Sequence, residues 1–109
     1  MTQAKKNKEE LVAIKLPPHN HEAEMCVLGA IIEEKHALAK CLPILTDSST
    51  FYKPQHGIVY DACLDLKSKG DPIDLLTVST YLRSKKQIDE IGGLSYLVEL
   101  TRSVSSSAN

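Results

Sequence analysis

The stretch Gly70-Asp71-Pro72-Ile73-Asp74-Leu75-Leu76-Thr77-Val78 carries three helix-punctuating residues within five positions, and it decides how the chain folds. Glycine adopts positive φ readily, so Gly70 predicts the end of the helix before it. Pro72 disfavours helical geometry at the preceding residue, which predicts a turn. Asp74 can accept hydrogen bonds from the open N–H groups of a following helical turn, as an N-cap. The stretch therefore predicts two helices that meet at a sharp corner.

Apolar residues recur at helical spacing on both sides of this corner. Pro54 suits a first helical position, and a helix from there to Lys69 places four residues on one buried face: Val59, Ala62, Cys63 and Leu66. The helix after Asp74 is expected to turn Leu75, Val78, Tyr81 and Leu82 inward. A tight turn at Gly92-Gly93 then precedes a last helix, from Leu94 to about Arg102.

The first strong helix pattern starts at Asn20, a good N-cap, and runs to about Glu34. No charged residue occurs from Met25 to Ile32, so this helix is expected to be buried on most sides and to lie at the centre of the fold. Gly29 in its middle lowers helix propensity, and close approach of a neighbouring helix would explain it. Glu22 and Glu24 in the first turn suit the positive end of the helix dipole.

A shorter helical piece from Ala37 to Leu45, interrupted by Pro43, completes the pattern, and no stretch alternates with strand period. The fold class predicted is all-α, a compact bundle of about five or six short helices. Residues 1–15 are polar and are interpreted as a flexible leader, residues 16–102 as a helical head domain whose Leu16 can reach the core, and residues 103–109 as the start of a linker.

Length, composition and charge place the chain among ordinary globular domains. It has 109 residues, 42% hydrophobic and 25% charged, with a net charge of −1. That charge argues against a dedicated nucleic-acid-binding surface. No apolar run is long enough for a membrane span, no signal peptide is recognisable, and the three separated cysteines fit buried thiols in the cytoplasm.

No catalytic, cofactor-binding or metal-binding constellation is recognised. The phosphate-loop pattern of nucleotide-binding proteins is missing. A metal site at His19 and His21 is conceivable, but surface histidines are favoured. His56 is expected to lock its corner by a hydrogen bond to a backbone carbonyl. The acidic pair Asp61 and Asp65 is interpreted as a solvated helix face. The residues singled out are therefore structural: Gly29, Gly70, Pro72, Asp74, Gly92 and Gly93.

Five short segments, in order, resemble the N-terminal domain of bacterial replicative DNA helicases of the DnaB family. The similar segments cover nearly the whole chain from residue 16: Leu16-Pro17-Pro18-His19-Asn20-His21-Glu22-Ala23-Glu24 with Val27-Leu28-Gly29-Ala30, Phe51-Tyr52 with His56, Gly70-Asp71-Pro72-Ile73-Asp74 with Thr77-Val78, Ile91-Gly92-Gly93-Leu94-Ser95-Tyr96-Leu97-Val98-Glu99-Leu100, and Ser106-Ser107-Ala108-Asn109. Ser105 stands where the family usually has proline, which predicts a more flexible junction.

The resemblance implies that this chain is the globular head of a larger protein. The family's full protein is a hexameric ring that unwinds duplex DNA with ATP and Mg²⁺ bound in a motor domain, and the head supports subunit pairing and recruits primase. By this implication the head has no cofactor or enzymatic activity of its own, and it meets DNA only through the full-length ring. Alternatives are a stand-alone helical adaptor and, disfavoured by the charge, a small DNA-binding domain.

Self-association is expected to be weak for this chain alone, a monomer or a weak dimer. Most apolar stripes are used within one core, which leaves few large residues for a partner. The candidate self-association residues are those on the last helix and its exit: Tyr96, Leu100 and Val104.

Overall fold

Five α-helices and a short 3-10 helix make up the part of the chain that the structure describes, and no strand occurs there. The structure is a computed structural model that describes residues 20–108, with the helical backbone alone from residue 104 on. The predicted leader and Leu16 lie outside the described residues. The all-α prediction is confirmed. In chain order the helices are α1 His21–Glu33, α2 Ala37–Cys41, the 3-10 helix Ser48–Thr50, α3 Pro54–Ser68, α4 Leu75–Ser84 and α5 Leu94–Ala108.

Helix α1 lies at the centre of the bundle, as its charge-free middle predicts. It packs most extensively against α5 and also contacts α2, α3 and α4. Leu28, Ile31 and Ile32 are buried in the core, and Gly29 is buried beside them. The Asn20 side chain accepts a hydrogen bond from the Ala23 N–H at 2.9 Å, so the predicted cap is present. Glu24, in the first turn of α1, is buried.

The segment after α1 is less helical than predicted. Helix α2 ends at Cys41, two residues before Pro43, because proline cannot donate the backbone hydrogen bond that would continue the helix. Leu45 still reaches the core with 3% of its surface exposed. Its carbonyl accepts a hydrogen bond from the Tyr60 hydroxyl at 2.5 Å. This loop is therefore tied to the middle of α3.

The corner between α3 and α4 has the geometry that its sequence indicates. Gly70 has φ +78°, and the Asp71 N–H reaches back to the Leu66 carbonyl at 2.9 Å, which closes α3 with a Schellman motif. Asp74 then accepts a hydrogen bond from the Thr77 N–H at 2.8 Å, and the Asp74 N–H donates to the Thr77 hydroxyl at 2.9 Å. This reciprocal capping box starts α4 just after Pro72.

The turn before α5 is built by two glycines with positive φ. Gly92 has φ +109° and Gly93 has φ +81°. A Cβ atom at Gly92 would lie only 3.1 Å from the Cβ of Tyr96, so this position needs glycine for space as well as for conformation. The turn thereby allows Tyr96 to point back into the domain.

Helix α5 is longer than the sequence pattern indicates. It was expected to end near Arg102 and to give way to a linker, but its backbone remains helical to Ala108. Serine at position 105 permits this continuation, since it keeps the backbone N–H that a proline would lack. The flexible junction expected from Ser105 is therefore wrong for the backbone of this segment. Among the described helices, none is long and apolar enough to cross a membrane.

Replacing Asp74 by alanine is expected to lower the free energy of unfolding by about 0.5–2 kcal/mol, because the substitution removes the capping oxygen. Asp74→Asn keeps a side-chain oxygen and is expected to retain most of the stability. Urea unfolding of both variants beside the unaltered chain measures the difference. Equal losses in the two variants would show that the carboxylate charge, and not the cap, is what matters.

Candidate functional site

A buried polar cluster joins α1, α3 and α5 at one end of the core. Its members are Glu24 on α1, His56 on α3 and Tyr96 on α5. Glu24 Oε1 lies 2.6 Å from His56 Nδ1, and His56 Nε2 lies 2.5 Å from the Tyr96 hydroxyl. Glu24 is 2% exposed and His56 is fully buried. Three helices that are distant in sequence therefore meet through one line of hydrogen bonds.

The Glu24 carboxylate also binds the backbone just before α3. It accepts hydrogen bonds from the Tyr52 N–H at 2.6 Å and from the Lys53 N–H at 3.3 Å. The N-cap residue of α3, Lys53, makes no side-chain cap, and Pro54 has no N–H to offer. A carboxylate at the positive end of a helix is favourable, and here it is supplied by a different helix.

All the partners of Glu24 in this cluster are hydrogen-bond donors. Two are backbone N–H groups, and the third is His56 Nδ1, which donates when the neutral imidazole carries its proton there and Nε2 accepts from the Tyr96 hydroxyl. This assignment gives a neutral histidine with its proton on Nδ1. With this tautomer a carboxylate at position 24 accepts all three hydrogen bonds.

Burial sets the protonation of the histidine. Desolvation lowers the pKa of His56 below its usual value of 6.5, and the hydrogen bond and charge of Glu24 only partly offset that effect. Burial also raises the pKa of the Tyr96 hydroxyl. Within the described residues no buried polar side-chain atom lacks a hydrogen-bond partner. The cluster is thus a fully satisfied network in its neutral-histidine form.

The arrangement of this cluster suits a role in stabilising the fold. A carboxylate, an imidazole and a phenol in line resemble a proton relay, but acid–base catalysis requires a substrate within hydrogen-bond reach. Glu24 and His56 are almost completely buried, so solvent does not reach either group in the structure. Nor do any three His, Cys, Asp or Glu side chains in the described part of the chain come close enough together to hold a metal ion.

None of the sequence-predicted structural residues is a member of this cluster, although Gly92 lies against Tyr96. Gly29 is buried in α1, Gly70, Pro72 and Asp74 form the α3–α4 corner, and Gly92 and Gly93 form the turn before α5.

Two polar side chains behave differently from expectation. His56 binds Glu24 and Tyr96, and not the backbone carbonyl that was expected. Asp65 is half-buried and accepts a hydrogen bond from the Tyr81 hydroxyl at 2.7 Å, with Lys69 Nζ 3.5 Å away, so it is not simply a solvated charge. His21 packs its ring against Tyr52 at 6.3 Å, whereas His19 lies outside the described residues.

The three candidate self-association residues differ in how exposed they are. Leu100 is fully buried in the core, so it offers no surface to a partner, and that part of the prediction needs correction. Tyr96 is half-buried, with its hydroxyl held by His56. The side chain of Val104 lies outside the described residues. The exposed large apolar side chains of the described part are instead Tyr52, Leu76 and Leu94.

Sequence reasoning missed the role of Glu24, although one signal was available. Tyr52 and Lys53 precede the helix that begins at Pro54, so their N–H groups need acceptors from outside that helix. An acidic residue at the edge of an otherwise charge-free helix is the natural candidate.

The fold and the cluster define an all-α domain whose buried polar groups hold its helices together. Residues 16–109 match the model of the family described as "DnaB-like helicase N terminal domain". The chain belongs to that family.

Replicative DNA helicases of several bacteria are similar in sequence to this chain. The chain is 40% identical over 100 residues to the replicative DNA helicase DnaC of Bacillus subtilis, which covers 92% of this chain and 22% of the relative. It is 41% identical over 95 residues to the replicative DNA helicase DnaB of Treponema pallidum, covering 87% of this chain and 22% of the relative. The chain thus spans about a fifth of the length of these relatives.

A solved structure has the same fold. The crystal structure of the N-terminal domain of DnaB helicase from Mycobacterium tuberculosis superposes with a TM-score of 0.76 at 40% identity. The superposition covers 80% of this chain and 60% of that one.

Replacing Glu24 by glutamine is expected to lower the free energy of unfolding by about 1–3 kcal/mol, because an amide NH₂ would face a buried donor. Glu22→Gln removes the same charge from the same helical turn at an exposed position, so its effect is expected to stay within about 0.5 kcal/mol. Denaturant unfolding of both variants provides the comparison. Similar losses would mean that the charge at the α1 N-terminus matters and the buried cluster does not.

Stability is expected to fall as the pH drops below about 6.5, because the unfolded chain then protonates residue 56 more readily than the folded protein does. The contribution is fully present above pH 6.5 and is lost as the pH falls toward the lower pKa of the folded state. His56→Gln is expected to be less stable at neutral pH but to show a weaker dependence between about pH 5 and 7. Parallel stability curves for the two proteins over this range would contradict the assignment.

Proposed function

We propose that this chain is the N-terminal head of a hexameric, ATP-dependent replicative DNA helicase, where it serves as a scaffold for ring assembly. The observation that carries the proposal is the family match, which spans residues 16–109. The helicase relatives are several times longer than this chain, so the activity belongs to a larger protein of which the head is one part.

In this proposal the chemistry resides outside the head. ATP and Mg²⁺ bind in a motor domain of the larger protein, and DNA is contacted through the assembled ring. The head itself binds no cofactor. We further propose that it works in the cytoplasm and recruits primase, as the resemblance to the DnaB family implies.

One feature of the described residues supports a scaffold role, and another supports weak association of the head alone. The polar cluster of Glu24, His56 and Tyr96 ties the first, third and last helices together, which favours a rigid head. The large apolar side chains left exposed are few and separated along the chain, at Tyr52, Leu76 and Leu94. A stable interface generally buries about 1,200–2,000 Å² in total, and so sparse a set does not favour tight pairing by the head alone.

The 109-residue chain is expected to sediment as a monomer or a weak dimer and to hydrolyse no ATP. A longer protein that contains this head and continues past Asn109 is expected to form a higher oligomer and to hydrolyse ATP in the presence of DNA. Analytical ultracentrifugation at several concentrations, with an ATPase assay on both proteins, makes the comparison.

A tight hexamer formed by residues 1–109 would contradict the expected weak association and would place the assembly determinants within the head. A longer protein that neither assembles nor hydrolyses ATP would overturn the proposal and favour a stand-alone adaptor.

A further inference from the structure

An open groove lies between the C-terminal half of α3 and the outer face of α4, next to the α3–α4 corner. Its volume is about 400 Å³, and its lining side chains are mainly apolar or carry hydroxyl groups: Leu66, Pro72, Leu76, Thr77, Thr80 and Tyr81. No member of the Glu24 cluster lines this groove, so it is a separate surface of the domain.

Leu76 is the side chain of this groove that core packing does not explain. It is 73% exposed, the largest value among the exposed large apolar side chains of the described residues. Leu76, Thr80 and Arg83 are spaced i, i+4 and i+7, so they lie on one face of α4, and all three are exposed. The buried residues of α4 lie on its other side: Val78, Ser79 and Leu82. Leu76 therefore contributes little to the core and is accessible to a partner.

The exposed charges at the C-terminal end of α4 are positive. No acidic residue occurs from Leu75 to Ile88, whereas this stretch contains Arg83, Lys85 and Lys86, here called the basic end. All three are exposed, and none of them forms a salt bridge within the part of the chain that the structure describes. The Lys85 ammonium lies 5.6 Å from the centre of the Tyr81 ring, which lines the groove. Carboxylates of a partner would therefore meet positive charge that no carboxylate of this chain pairs with.

Asp65 and Asp71 border the groove, and neither removes the positive charge of its basic end. Asp65 accepts a hydrogen bond from the Tyr81 hydroxyl at 2.7 Å and lies 3.5 Å from the Lys69 ammonium. Asp71 lines the groove at its other end, beside Pro72. The groove therefore has an acidic end and a basic end, so the two directions in which a charged segment could lie along it are not equivalent.

The shape of the groove suits a short helix. From Leu76 to Ser84 it follows α4 for about 12 Å at the helical rise, which corresponds to about two turns of a helix lying alongside. An extended peptide would need a sheet edge, and no strand occurs in the described residues. Stable interfaces generally bury about 1,200–2,000 Å² in total, so a groove of this length fits a segment that binds reversibly and weakly.

We infer that the α3–α4 groove binds a short amphipathic helix of a partner protein, with its apolar side chains against Leu76 and its carboxylates toward the basic end. Burial of Leu76 removes apolar surface from water, and the carboxylates supply the missing negative charge. Nucleic acid fits less well, because its phosphates would leave Leu76 uncovered and would approach Asp71. The inference does not depend on the proposed helicase function, so either can fail without the other.

NMR titration of the isotope-labelled 109-residue chain with a synthetic helical peptide tests the inference. The peptide carries leucines at i and i+4 with glutamates beside them, and its matched counterpart has lysines in place of the glutamates. The glutamate peptide is expected to shift the amide signals of Leu76, Thr80 and Lys85 saturably. The lysine peptide is expected to bind about tenfold more weakly or less, because its charges would face the basic end.

Two pairs of variants separate the apolar contact from the charge. Leu76→Gln is expected to weaken binding of the glutamate peptide about tenfold, since the buried leucine contact is lost. Leu94→Gln is its control, because Leu94 is also exposed, at 41%, but does not line the groove. Lys85→Glu is expected to weaken binding of the glutamate peptide and to strengthen binding of the lysine peptide. Lys40→Glu makes the same charge change at an exposed position on α2 and is expected to leave both affinities nearly unchanged.

Several outcomes would overturn the inference. The first is the absence of a saturable shift with the glutamate peptide, and the second is an equal loss of affinity in Leu76→Gln and Leu94→Gln, each with an otherwise unaltered spectrum. If oligothymidylate shifts these signals and the glutamate peptide does not, the groove is a nucleic-acid surface. If the signals shift with protein concentration in the absence of peptide, the occupant is a second copy of the chain.

Discussion

The fold depends on one buried carboxylate. Glu24 receives hydrogen bonds from two backbone N–H groups just before α3 and from the imidazole of His56, whose other ring nitrogen is hydrogen-bonded to Tyr96 on α5. An isolated buried charge is strongly unfavourable, but one whose oxygens are met by several donors is tolerated. Because its donors come from separate segments, α1 can bury Glu24 only when α3 is in place. The cluster therefore couples the helices in addition to packing them.

Most of the architecture could be predicted from local patterns. The α3–α4 corner was predictable because Gly70, Pro72 and Asp74 each act on their own backbone or on a neighbour within a few residues. The central position of α1 was predictable because a charge-free helix must be covered on most sides. These signals are local, so they do not require knowledge of which helices meet. The short α2 also follows a local rule, since Pro43 prevents the helix from continuing.

Local patterns did not predict the polar cluster, nor which face of the last helix is buried or where that helix ends. Glu24 looks like an ordinary first-turn acidic residue until α3 is brought alongside, and the partners of His56 are 32 and 40 residues away along the chain. On α5 the apolar residues form overlapping stripes, and periodicity alone does not say which one faces inward. The structure buries Leu97 and Leu100 and leaves Leu94 41% exposed, so the inward face of α5 runs through Leu97 and Leu100 and the helix begins with a partly exposed residue.

The unbroken backbone of α5 to Ala108 has a geometric consequence for anything attached to it. A flexible tether would let a following segment rotate freely, whereas a continuous helix fixes the orientation of that segment relative to the domain. Adding or deleting one residue near position 105 would turn that continuation by about 100° around the helix axis and shift it by about 1.5 Å. The number of residues between the core and Ala108 therefore fixes the direction in which a following segment leaves the domain.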